Sequence, residues 1–370
     1  MFLNCIQVHK ILIVYPNQFG YHTDSYKYCE HLRVSFDLTY LCFDQGLERV
    51  GLAGVNVIYM PYNIGKIKRL IRFFSFLVRL SFIEKFDILF TIQFKFCFVI
   101  GLFARAEVKI LDYRTGDLSA NTFRRWLNNV FIRGDALFFR HISVISEGLR
   151  DILVLSKAKT HILPLGADVI SNQTHSFDRI DLLYVGAFNS RNIHQTIEGV
   201  ALFLYDNKEL SSKVSYNIIG FGKAHDEDKL TKIIEKLGLN DTVHFIGRKR
   251  YTDLKPFFDS SNIGVTYVPI TSYFEHQPVT KLFEYMLSGM AVIATNTYEN
   301  RLIINSTNGV LINDSPEAFC NGLKSIYNQR NLYNSSEIRE SVETHTWDKI
   351  VNTKLKPYLL GLLESTINFR

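Results

Sequence analysis

The sequence predicts an α/β protein made of two successive doubly wound parallel sheets. Three observations carry this. Short apolar, β-rich runs alternate with helix-compatible stretches from Lys10 to Leu111. The same alternation restarts at Ile180 and continues to Thr295. Strands that alternate with helices form βαβ units, whose strands are parallel. The 370 residues, 47% hydrophobic and 21% charged, suit two globular domains and exclude a disordered or fibrous chain.

Lys10 to Pro16 reads as a buried strand ended by proline, then a loop over Asn17–Gly20 and a helix over Tyr21–Arg33. Leu38–Phe43, Val55–Met60, Phe86–Ile92 and Val108–Leu111 are further short strands. The segment from Leu163 through Asp168 to Phe177 is polar and rich in structure breakers, which suits a linker. Ile180–Gly186 then runs into a glycine loop, followed by a helix over Thr196–Tyr205 and a strand over Ser215–Gly220. A helix over Asp226–Leu237 has Gly238 in place to end it. Strands follow at Val243–Gly247, Ile263–Tyr267 and Ala291–Thr295, with a helix over Lys281–Leu287 before the last. The expected domains are 1–168 and 169–348, with a C-terminal helix over 349–370 that can cross back to the first. In open parallel sheets ligands bind beyond the carboxyl ends of the strands. The loops after Gly186, Gly220 and Gly247 are therefore candidate site walls.

The net charge of +6 fits an anionic small ligand or an anionic membrane surface as well as it fits nucleic acid; of these, no nucleic-acid partner is expected. The cysteines, at 5, 29, 42, 97 and 320, are scattered and odd in number. They argue against structural zinc and a disulfide framework, and for a reducing cytoplasm. The most apolar run, Phe96–Ala104, is too short to span a bilayer, and Met1–Ile13 lacks the pattern of a signal peptide. No Gly-x-Gly-x-x-Gly follows the first strand, which disfavours a dehydrogenase.

The segment from His276 to Thr295 is the most informative. Pro278 precedes a helix pattern that Thr280 could cap. The free N–H groups and positive end of such a helix suit a phosphate. Lys281 adds a full charge there, and Glu284, a turn further in, could accept from a sugar diol. An ordinary capped amphipathic helix explains the same spacing.

This segment resembles the signature of family-4 retaining glycosyltransferases of the GT-B fold, written P-x-K-x-x-E-Y-M-x-x-G-x-P-V-I-A-T. Other pieces follow in the family's order: Tyr184–Gly186 with Arg191, Ile218–Gly222, Val243–Arg248, Ile263–Pro269, and Ile162–Asp168 with Ser146–Glu147 ahead of it. The resemblance covers about residues 140 to 350 well and the N-terminal half loosely. It implies two Rossmann-like domains facing a cleft. It also implies a nucleotide-diphosphate sugar substrate, retention of configuration, and neither metal nor cofactor.

By the resemblance, Glu284 holds the ribose hydroxyls. Arg191 and Lys281 neutralise the leaving diphosphate, helped by backbone N–H groups near Val279 and Thr280. Such stabilisation is electrostatic, so fixed cations are what the reaction needs. Gly186 allows close approach to the phosphates, while Arg248 and the Gly220–Gly222 loop lie near the base. The family often has two glutamates seven residues apart. Here His276 occupies the first position, with Glu275 beside it, so either, or neither, contacts the donor sugar. The family's arginine after the first loop glycine is replaced by Ala187. Asp112 and Arg114 end a strand and resemble a loop that reaches donor sugar and acceptor; a salt-bridged strand end is the alternative. Asn17 to Gly20 forms the other acceptor-side loop. Asp226-Glu-Asp228 has the form of a metal-binding pair but opens a helix, where acids are favourable, and reads as structural. Trp347 lies in a segment similar to the family's closing tryptophan segment.

Gly65–Leu80 is a basic amphipathic segment. Lys68, Arg72, Ser75 and Arg79 form one stripe, and Ile67, Leu70, Ile71, Phe74, Leu77 and Val78 cover the other side. No acid lies between Arg49 and Ile83, and Phe123–Arg133 is a similar stretch. Such helices suit anionic lipid, with Phe74 and Leu77 dipping below the headgroups; a domain-packing helix with a solvated basic face is the alternative. The expected enzyme is therefore a glycosyltransferase of bacterial surface polysaccharide assembly. It would use a saccharide or lipid-linked saccharide acceptor and sit peripherally on the inner face of the cytoplasmic membrane. The alternative is a non-catalytic nucleotide- or lipid-binding α/β subunit of a membrane complex, supported by the missing first glutamate and arginine.

Overall fold

The structure, a computed structural model, describes residues 8–117, 119 and 121–368. The chain divides into two units, one comprising Met1–Leu165 and Trp347–Arg370, the other Gly166–Thr346. The divisions fall after residues 165 and 346, where 168 and 348 were expected.

The first unit contains β1 (Lys10–Val14), α1 (Thr23–Leu32), β2 (Asp37–Asp44), β3 (Val55–Pro61), α2 (Lys66–Ile83), β4 (Ile88–Ile92), α3 (Phe98–Phe103), β5 (Val108–Tyr113), α4 (Thr122–Ala136), β6 (His141–Val144), α5 (Glu147–Ile152) and β7 (Thr160–Ile162). Its seven strands lie in the order β3-β2-β1-β4-β5-β6-β7, and the pairings are parallel. β1, β4 and the middle of β2 are buried on both faces, which is why they read as unbroken apolar runs. On one face α3 packs against α2 and α4.

The second unit contains β8 (Ile180–Ala187), α6 (His194–Asp206), β9 (Val214–Phe221), α7 (Ala224–Lys236), β10 (Val243–Gly247), α8 (Lys255–Ser260), β11 (Ile263–Thr266), α9 (Thr280–Leu287), β12 (Ala291–Thr295), α10 (Tyr298–Arg301), β13 (Gly309–Ile312), α11 (Pro316–Asn328) and α12 (Ser335–Ser341). Its six strands run β10-β9-β8-β11-β12-β13, again with parallel pairings. Two glycines permit the close packing here. A Cβ on Gly220 would stand 1.8 Å from the Gly186 carbonyl oxygen, and one on Gly264 would stand 2.2 Å from the Tyr285 ring. The two ends of this unit meet: Ala167 bridges Thr346, and the Ala167 N–H donates to the His345 carbonyl at 2.8 Å.

The C-terminal segment belongs to the first unit. It comprises α13 (Trp347–Ile350), a π-helical turn (Val351–Leu355) and α14 (Lys356–Asn368). Trp347, Ile350, Val351, Leu355, Leu359 and Leu363 share one core with Ile11, Tyr28, Leu32 and Phe90.

The basic stripe of α2 is present, since Lys68, Arg72, Ser75 and Arg79 are exposed. The expectation for Phe74 and Leu77 is overturned. Leu77 is fully buried beside Phe73, and Phe74 stacks on Phe94 with ring centroids 5.9 Å apart. Their side of the helix makes the unit's own core, whereas Ile67 and Ile71 are exposed among the basic residues. Among the described residues, no helix is long and apolar enough to cross a membrane.

Candidate active site

Because the second sheet is parallel, the loops leaving β8, β9, β10, β11 and β12 all lie at its carboxyl edge. The strand order reverses between β8 and β11, the place where such sheets open a crevice. Contacts tie the loops around it together. The Lys223 N–H donates to Asn189 Oδ1 at 3.1 Å, joining the loops after β8 and β9. The Val185 N–H donates to Tyr285 Oη at 2.8 Å, joining β8 to α9.

Arg191 is in the loop after β8. The residues on either side of it, Ser190 and Asn192, have positive φ (57° and 53°). That conformation is unusual for non-glycine residues and concentrates at functional sites. The Arg191 guanidinium lies 4.6 Å from the Phe274 ring, which belongs to the loop after β11. Among the described residues it makes no ion pair. Burial lowers its pKa, with Tyr184 opposing. A half-buried cation without a carboxylate is poised to receive an anion.

The α9 terminus holds the second cluster. Val279 is the N-cap, and its side chain makes no capping bond; Thr280 is the first helical residue, so the capping role expected for it does not hold. Lys281 Nζ donates to Glu284 Oε2. Glu284 is 3% exposed, and burial pushes its pKa up while Lys281 and Tyr251 pull it down. The Tyr251 hydroxyl lies 3.2 Å from Glu284 Oε1 and 3.1 Å from Asp168 Oδ2, and its single proton can serve one at a time. The Lys281 ammonium also sits over the Tyr251 ring at 5.2 Å.

Glu275 and His276 lie in the loop after β11. Glu275 Oε2 accepts from the Tyr298 N–H at 2.6 Å and meets Arg301 at 3.5 Å. The His276 ring packs against Tyr298, and its Nδ1 is buried with no partner among the described residues. Arg248, after β10, is exposed with its guanidinium 4.9 Å from the Phe221 ring. The Gly222 N–H is taken by Glu227 Oε1 at 3.0 Å. That bond, with Asp226 and Glu227 in the first turn of α7, gives the acidic run a helix-end role. Among the described residues, no group of three or more His, Cys, Asp or Glu is placed to hold a metal ion.

In the first unit, Asp112 and Arg114 do not form an exposed loop pair. Asp112 is fully buried, accepts from Ser143 Oγ at 2.7 Å, and has its pKa raised by burial to about 6. Arg114 Nε donates to Asp24 at 2.6 Å and its Nη1 to the Leu163 carbonyl at 2.7 Å. The pair is an internal strut tying β5 to α1 and to the chain beyond β7, and both residues leave the list of substrate contacts. Asn17 is exposed beside Gln18, whose buried amide holds the turn over Gln45–Glu48. Gly20 turns the chain with φ 91°.

Tyr251 and Asp168 were not anticipated. Asp168 was visible only within the linker and as the end of the Ile162–Asp168 piece of the resemblance, and Tyr251 carried no signal in its own segment.

Residues 169–340 match the family model described as Glycosyl transferases group 1. The matched stretch lies within the second unit. No curated protein matches the chain. Among solved structures, it is similar to a sucrose-phosphate synthase from Thermosynechococcus elongatus, with 15% identity over 96% of this chain and 100% of that one and a TM-score of 0.75. A glycosyltransferase from Rickettsia africae has 14% identity over 96% and 99%, with a TM-score of 0.71. Anabaena Alr3699/HepE, in complex with UDP and glucose, has 15% identity over 95% and 100%, with a TM-score of 0.72. At these identities the likeness establishes the fold, which is GT-B. The group 1 domain supports glycosyl transfer as the reaction class.

Proposed function

We propose that this chain transfers a sugar from a nucleotide-diphosphate sugar to a saccharide acceptor, with retention of configuration and without a metal. The observation that carries the reading is Arg191: a half-buried guanidinium, free of ion pairs among the described residues, at the switch point of the group 1 domain. Negative charge builds on a diphosphate as the glycosidic bond breaks. A cation that is already fixed and partly desolvated stabilises that charge with little reorganisation. Lys281 would share the diphosphate, and Glu284 would accept from the ribose hydroxyls in place of Lys281 and Tyr251. Gly186, Val279 and Thr280 would line the phosphate path, with Arg248 and the Gly220–Gly222 loop toward the base. The Asn17–Gly20 loop of the first unit would contact the acceptor. Supported by the basic stripe of α2, we place the enzyme on the inner face of a bacterial cytoplasmic membrane, where it extends a lipid-linked saccharide for surface polysaccharide.

The test is a panel of nucleotide-diphosphate sugars, read by thermal stabilisation and by slow donor hydrolysis. A donor at 100 times its Kd adds about 2.7 kcal/mol, or roughly 5–10 °C for a domain of this size. Glu284→Gln should weaken donor binding about 10- to 100-fold, the worth of a charge-assisted hydrogen bond. Arg191→Ala should lower kcat more than affinity. If no nucleotide sugar stabilises the protein or is hydrolysed, the reading fails and a non-catalytic subunit takes its place.

A further inference from the structure

Helix α4 is inside out. Phe123, Trp126, Leu127, Val130 and Phe131 recur at helical spacing, the pattern that normally marks a buried face. Here that face looks outward: Phe123 is 71% exposed, Trp126 59% and Phe131 67%, and Leu137 just beyond the helix is 77% exposed. The polar face looks in. Asn128 Nδ2 donates to Asp117 Oδ2 at 2.7 Å, and Asn129 Oδ1 accepts from the Asp117 N–H at 3.0 Å. Asp135 Oδ1 accepts from the Phe98 N–H at 3.0 Å, and the Ile132 carbonyl accepts from Tyr113 Oη at 2.7 Å. The inward bonds pin this orientation, so the helix cannot roll its aromatic ridge into the core without abandoning them. Next to it, Leu102 and Phe103 of α3 are also more than half exposed. A contiguous apolar surface of this kind marks an interaction site.

The charges select the occupant. No acid lies between Asp117 and Asp135, or between Asp135 and Glu147, and both bounding aspartates are spent on the inward bonds. Arg124, Arg133 and Arg140 are exposed around the ridge. A second copy of the chain would set these arginines against their own kind. Anionic lipid supplies phosphate at the level of the arginines and apolar depth for the rings, and aromatic residues favour that interface.

We propose that α4 is the element that inserts into an anionic bilayer surface, its Phe123–Trp126–Phe131 ridge below the headgroups and its arginines among them. This deepens the membrane part of the proposed function and rests on that reading for its biological setting; the physical claim concerns α4 alone, separate from the α2 stripe. The chain has two tryptophans, and Trp347 is 2% exposed in the core, so lipid-dependent changes in emission report on Trp126. Full-length protein is mixed with vesicles of equal phosphatidylglycerol and phosphatidylcholine, with and without bromine on the acyl chains. The expected result is a shift of emission to shorter wavelength and quenching by the bromine, both absent with pure phosphatidylcholine. Replacing the two exposed phenylalanines of α4, Phe123→Asp with Phe131→Asp, should weaken vesicle binding about 100-fold or more and leave donor-induced thermal stabilisation unchanged. Vesicle flotation without a change in Trp126 emission would overturn the proposal, as would an equal shift with phosphatidylcholine alone. So would absence of vesicle binding, whether the protein is monomeric or forms a dimer that the double variant dissolves. Failure of nucleotide sugars to stabilise the protein would instead strike the transfer reaction and leave the α4 result standing.

Discussion

Glu275 and His276 are chain neighbours with different employment. The Glu275 carboxylate is engaged by the Tyr298 N–H at the start of α10 and by Arg301. His276 keeps a buried Nδ1 without a partner among the described residues, a ring nitrogen with hydrogen-bonding capacity for a donor sugar. His276→Ala is expected to lower kcat/KM about 10-fold or more with little change in Tm. Glu275→Ala is expected to lower stability by about 0.5–2 kcal/mol, as loss of a helix-end acceptor does, with the smaller effect on turnover. Steady-state kinetics beside thermal melts separate the two. At this scale the sequence is legible where residues are local. Lys281 and Glu284 are three apart and read off one helix turn. Tyr251 reaches Glu284 across 33 residues and Asp168 across 83, and no local pattern announces such a meeting. Asp112 and Arg114 show the converse. A polar pair at a strand end looks the same whether it faces a ligand or an internal partner, and Asp24, 90 residues from Arg114, decides it.

Among the elements, α2 and α4 both read as amphipathic helices, yet periodicity reveals only that a stripe exists. What each face meets is decided by neighbours: Phe73 and Leu77 of α2 turn inward, whereas the aromatic stripe of α4 turns outward. In the proposed membrane-bound enzyme the stripe of α2 would act through charge. Changing Lys68, Arg72 and Arg79 together to Glu should weaken adsorption to anionic vesicles at low salt, since each basic residue contributes about 1 kcal/mol near such a surface. Raising salt should weaken the wild-type protein in the same flotation assay, because the Debye length is about 10 Å at 0.1 M. The long central strands were legible because double-sided burial writes an apolar run. β6, β7 and β13 are short and each includes partly exposed positions, so no unbroken apolar run stands out, whereas the equally short β11 is buried throughout.

For the whole molecule, the restart of the βαβ pattern at Ile180 marked two units, and both sheets are parallel as that pattern requires. The membership of the C-terminal segment was open in the sequence, because an apolar helix does not say which core it completes. A chain stopped after Thr346 would strip Trp347, Ile350, Val351, Leu355, Leu359 and Leu363 from the first core. At about 1.5–3 kcal/mol for each large apolar side chain, the loss rivals the 5–15 kcal/mol that usually holds a domain. Limited proteolysis of that truncated chain should digest residues up to 165 and leave 166–346 as a resistant fragment.

The joined ends of the second unit also bear on how a ribosome makes this protein. Once Thr346 has emerged it can pair with Ala167, and the stretch between them is complete. The sheet that was translated first must still wait for Trp347 to Leu363, so the unit begun earliest is the later to close. Until then the face of Ile11, Tyr28 and Phe90 stays uncovered on the nascent chain. A stalled or prematurely terminated product would carry a finished second half beside an open first half, the kind of apolar surface that chaperones and proteases seize.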